Sequence, residues 1–86
     1  MSYSAQWTRN AVKQASKLPQ ADRARVIAAV GRLREWPNCA QDIKPLQGHA
    51  HQYRLRCGRY RVLFDVEAEI RVVRVEQVRK RDDRTY

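Results

Sequence analysis

From Gln52 to Val78 the chain alternates apolar and polar residues: Tyr53 and Leu55, then Tyr60, Val62, Phe64 and Val66, then Ile70, Val72 and their neighbours up to Val78. Successive side chains on a strand point to opposite faces, so a period of two commits this stretch to a sheet with one buried face. Turn signals fall at Gly58 and across residues 67–69. The spacing predicts a three-stranded antiparallel meander.

The first half of the chain has a different pattern. Tyr3, Ala5 and Trp7 alternate with Ser4 and Gln6, giving one short strand, and Thr8 offers an N-cap to a helix beginning at Arg9. Val12, Ala15 and Leu18 form a stripe that leaves Lys13 and Lys17 outside it, so residues 9–17 read as a short amphipathic helix closed by Pro19. A second helix over residues 22–36 aligns Val26, Val30 and Leu33 beside Ile27 and keeps Arg23, Arg25, Arg32 and Arg34 in water. Residues 37–51 carry two prolines, Gly48 and no period, and read as a loop ending at His49 and His51. The expected order is β-α-α-β-β-β. This is an α+β fold with a helix hairpin packed on one face of a twisted antiparallel sheet and the other face left open. Its 86 residues allow one domain, 1–86, and with 31% charged residues its core is thin enough to favour support from a partner.

Eighteen basic residues against nine acidic give a net charge of +9, which favours polyanions: RNA, DNA or an acidic protein. Only Lys13, Lys17, Lys44 and Lys80 are lysines; the rest are arginine, the side chain suited to forked phosphate contacts and base stacking. Cys39 and Cys57 form neither a zinc set nor a disulfide framework, which fits a reducing cytoplasm. No apolar run approaches the roughly 20 residues of a membrane helix. No cofactor is implied.

The first hairpin gathers part of that charge. With Cys57 and Gly58 as a two-residue turn, Leu55 pairs with Tyr60 and Tyr53 with Val62 on the core face. Arg54 then meets Arg61 and Arg56 meets Arg59 on the exposed one. Like charges set opposite each other destabilise a hairpin, so an anion or an acidic partner is the expected compensation. The run RKRDDRTY adds Arg79, Lys80, Arg81 and Arg84 and ends in Tyr86, basic groups with one aromatic that suit a phosphate beside a stacked base.

Taken together, LREWP, IKPLQG, QYRLRCGRYRVLFDV, IRVVRVEQV and KRDDRTY resemble the RelE/ParE toxin superfamily over nearly the whole chain, with the RelE-like branch the better match. The resemblance implies a cytoplasmic bacterial toxin of a type II toxin–antitoxin system, neutralised by a cognate antitoxin in a hetero-oligomer. For RelE-like members it further implies cleavage of mRNA in the ribosomal A site. It places phosphate binding on Arg54 and Arg56, transition-state stabilisation on Arg61, protonation of the leaving oxygen on Arg81 and orientation of the nucleotide on Tyr86. Arg59, Arg79 and Arg84 would add phosphate contacts.

Such cleavage sends the RNA 2′-OH in line at its own phosphorus, which demands positioning and charge stabilisation that arginine forks supply. Arginine gives up its proton too rarely to be an ordinary base. Lys80, between the like charges of Arg79 and Arg81, is the better acid/base candidate on physical grounds. His49 and His51 lie before the hairpin and read as surface residues without a carboxylate partner. The rival function is a ParE-like poison of DNA gyrase that acts by protein binding without RNA chemistry; a further one is a non-toxic relative that serves only as a regulator.

Overall fold

The computed structural model describes residues 2–80. Among the described residues eight elements occur in order: β1 (Ser4–Trp7), α1 (Arg9–Ser16), α2 (Gln20–Gly31), a 3-10 turn (Arg32–Glu35), β2 (Ile43–Pro45), β3 (Tyr53–Cys57), β4 (Tyr60–Glu67) and β5 (Val72–Lys80). The strands form a single sheet in the order β1-β5-β4-β3-β2.

The meander over β3, β4 and β5 follows the alternation except at Ile70, which lies 62% exposed in the turn before β5 rather than in the strand; two further strands extend the sheet. β2, within a stretch expected to be a loop, pairs antiparallel with β3 through Ile43–Leu55, Lys44–Arg54 and Pro45–Tyr53. β1 runs parallel to β5, with Ser4 opposite Val72 and Trp7 opposite Val75, so the sheet is mixed rather than purely antiparallel. Three residues are too few to show a period, and local pattern carries no information about which strand a distant β1 will join.

Thr8 caps α1 as expected, its Oγ1 accepting the Ala11 N–H at 3.1 Å. The buried side of α1 is Ala11 and Ala15, while Val12 stands 52% exposed, as does Ile27 on α2. Small side chains let the short helix lie close to the sheet. Val26, Ala29, Val30 and Leu33 complete the helical half of the core. They pack on Leu55, Tyr60, Val62, Phe64, Val73, Val75 and Val78 from one face of the sheet.

Candidate nucleic-acid interface

The β3–β4 turn consists of Gly58 and Arg59, one residue later than the sequence led us to expect. Gly58 takes φ of +57° at the first turn position, where a type II′ hairpin requires positive φ; glycine bears this at no steric cost, whereas Cys57 would not. Leu55 therefore pairs with Val62, Tyr53 with Phe64, Arg54 with Leu63 and Arg56 with Arg61. The change amounts to two residues of register, so every side chain keeps its face although its partner changes. Arg59 leaves the strand and sits exposed in the turn.

On the face away from the helices, Arg56 on β3 lies opposite Arg61 on β4, and Arg61 lies opposite Arg79 on β5. Adjacent strands run about 4.8 Å apart, so this row of arginines crosses roughly 10 Å of sheet at right angles to the strands. Two residues along β3, Arg54 stands beside Lys44 of β2. Lys44 thus joins the basic face, and only the unforeseen β2 brings it there.

Arg54 and Arg56 are placed by the same residue. Asp42 Oδ1 accepts from Arg54 Nη2 at 3.0 Å, and the Asp42 carbonyl accepts the Arg56 N–H at 2.9 Å. The Arg54 side chain is only 12% exposed against 52% for Asp42, and its Nε is buried without a hydrogen-bond partner among the described residues. Arg54 thus supports the face from beneath, while Arg56 and Arg79 stand exposed upon it.

Lys80 pairs with Tyr60, whose side chain belongs to the helix-side core. Strand alternation therefore sets Lys80 on the opposite side of the sheet from Arg79, apart from the arginine row. Arg81, Arg84 and Tyr86 lie outside the described residues. Tyr60 itself donates its hydroxyl to Asp22 Oδ2 of α2 at 2.9 Å. Burial first, and then the bond to Asp22 and its charge, raise the Tyr60 pKa above its usual 10.0.

At the other end of the outer face the charge changes sign. His51 Nδ1 lies 3.1 Å from Asp65 Oδ2, and Asp65 Oδ1 accepts the Gln52 N–H at 2.8 Å. Burial, then a hydrogen bond to Asp65 and the repulsion of its charge, push the Glu76 carboxyl above the ordinary carboxylate range. Arg74 bonds to Glu67 beside them. His51 thus does have a carboxylate partner, 14 residues on in sequence; the hairpin register that joins them is what the linear sequence conceals.

Among the described residues no helix is long and apolar enough to cross a membrane. No family sequence model matches the chain, and no curated protein matches it significantly. Solved structures do. The RelE–RelB complex of the archaeon Pyrococcus horikoshii contains a chain 26% identical, with a TM-score of 0.80 over 96% of this chain and 99% of that one. A RelBE toxin–antitoxin complex from Mycobacterium tuberculosis gives 29% identity and a TM-score of 0.81, covering 94% and 100%. The intact RelBE complex of Escherichia coli gives 25% and 0.75, covering 93% and 98%. With its two helices on a five-stranded mixed sheet, shared with these proteins along nearly its whole length, the chain has the RelE fold and is structurally similar to RelE toxins.

Proposed function

We propose that this protein is the toxin of a toxin–antitoxin pair and that it cuts mRNA on the ribosome. The observation that carries the proposal is the row Arg56, Arg61 and Arg79 on a helix-free face of the sheet. Like charges in register cost the fold stability, and a bound polyanion offsets that cost. Set across the strands on a rigid sheet, the row suits a phosphodiester backbone better than a scattered basic surface would.

In this reading Arg56 and Arg79 hold the flanking phosphates. Arg61, in the middle of the row, stabilises the charge that builds on the phosphorane oxygens as the 2′-OH attacks in line. Arg54, held by Asp42, positions its neighbours and adds to the positive field. Arg81 protonates the leaving oxygen and is reprotonated from solvent, which takes up the proton of the 2′-OH; Tyr86 stacks on the nucleotide, and Arg84 adds a phosphate contact. The ribosome completes the geometry, and the cognate antitoxin covers the basic face with an acidic or amphipathic helix in a hetero-oligomer.

The test is cell-free translation with the purified protein, followed by mapping of mRNA 5′ ends, with Arg61→Ala and Arg81→Ala as controls. New ends within translated codons, lost in both variants, are the expected result. Intact mRNA together with blocked DNA supercoiling would instead assign the protein a gyrase target.

A further inference from the structure

Three side chains that the proposed chemistry leaves unused converge at the acidic end of the outer face. His51 enters from the segment before β3, Asp65 from β4 and Glu76 from β5, and one ligand atom of each lies within 4.8 Å of the others. All three are partly buried. Among the described residues no other trio of potential metal ligands gathers in this way.

Each ligand is also positioned by something outside the trio. Asp65 Oδ1 is anchored by the Gln52 N–H. The backbone N–H of His51 donates to His49 Nδ1 at 3.2 Å, which sets the direction of the segment carrying the imidazole. Glu76 sits where β5 is irregular: Leu63 pairs with Gln77 but Phe64 pairs with Val75, so Glu76 is the extra residue of a bulge. A bulge re-aims a side chain, and this one brings Glu76 beside Asp65, whose own cross-strand partner is Arg74. Arg74 is taken up by Glu67.

We propose that His51, Asp65 and Glu76 form a binding site for a first-row divalent transition metal, zinc above all, whose tetrahedral shell three protein ligands and one water complete. One imidazole nitrogen and two carboxylate oxygens suit such an ion. Magnesium disfavours an imidazole ligand and needs six oxygens around it. A dication would neutralise the two carboxylates that the bulge presses together, and water would complete the coordination shell. The ion would also tie the segment entering β3 to β4 and β5, bracing the strand that carries Arg54 and Arg56. Metal binding here is independent of the RNA reaction, since it needs neither the arginine row nor the chain end.

The experiment is a calorimetric titration of Zn2+, and separately of Mg2+, into the untagged full-length chain stripped of metal by chelation. The series includes His51→Ala, Glu76→Gln and the double variant Cys39→Ser/Cys57→Ser, each checked for folding by thermal melting. One equivalent of Zn2+ is expected, with much weaker Mg2+ binding. Zn2+ affinity should fall at least ~10-fold in His51→Ala and in Glu76→Gln and stay unchanged without the thiols. Because Glu76→Gln is nearly isosteric, it keeps the test decisive even where His51→Ala fails to fold. The assignment is overturned by absence of uptake in the folded parent chain, by uptake indifferent to Glu76→Gln, or by uptake that depends on the cysteines.

Discussion

Arg56 faces Arg61 directly across the β3–β4 pair, so two guanidinium groups occupy the place where a sheet ordinarily sets opposite charges. Replacing Arg56 by threonine removes the repulsion and adds a good strand former. Arg56→Thr should stabilise the protein by about 0.2–1 kcal/mol, and the gain should shrink as salt screens the parent pair. Urea unfolding at low and high ionic strength measures both. The same variant should bind single-stranded RNA more weakly, with the slope of log K against log salt reduced by about 0.7 for the lost phosphate contact.

Asp42 acts in the opposite sense. Its bond to Arg54 places an anion beside the basic row, and since the carboxylate is half exposed the ion pair is worth no more than ~1 kcal/mol. Asp42→Ala should cost at most about that much stability, and it should tighten RNA binding by no more than about tenfold. Parallel thermal melts and RNA titrations would show whether stability and affinity move in opposite directions.

Alkaline pH tests the joint between α2 and β4. Tyr60 is held protonated in the folded state above its usual 10.0, by burial and by Asp22. In the window above pH 10 the unfolded chain loses this proton while the folded chain keeps it, so the unfolded state binds fewer protons. Stability must therefore fall as pH rises from about 10 towards the folded value. Tyr60→Phe should flatten that part of the pH profile of the melting temperature. It should also lower stability at neutral pH through the loss of the hydrogen bond to Asp22.

Phe64 is fully buried, stacked on Tyr53 at 5.5 Å and met edge-on by Trp36 at 5.6 Å. Phe64→Ala should cost ~3–5 kcal/mol, a large share of what a domain this small possesses. Chemical denaturation would detect either the loss or an outright failure to fold.

What could be read in the sequence and what could not divide along a physical line. The alternation from Tyr53 to Val78, the Thr8 cap and the Val26, Val30, Leu33 stripe are local signals, and the fold obeys them except at Ile70. Relationships between distant segments are not local. Nothing near Ile43 announces that it will pair with Leu55, and nothing near Ser4 announces Val72. The site divides in the same way: the charge of Arg54, Arg56, Arg61 and Arg79 is plain in the sequence. That Arg56, Arg61 and Arg79 stand in one row depends on one glycine accepting positive φ. Lys80 illustrates the reverse error, because one step along β5 from Arg79 moves it to the other side of the sheet. The His51–Asp65 pair required the register before it could be seen at all.

The parallel pairing of β1 with β5 also has a bearing on when the sheet is completed. Thr8 Oγ1 donates to the Glu76 carbonyl across 68 residues of chain, so the first strand has no seat until nearly all of the described chain has been made. Closing so long a loop is slow and late. Arg79, on the same strand, enters its row once β5 pairs with β4. The row Arg56, Arg61 and Arg79 is therefore complete only when the last residues of the described chain are in place.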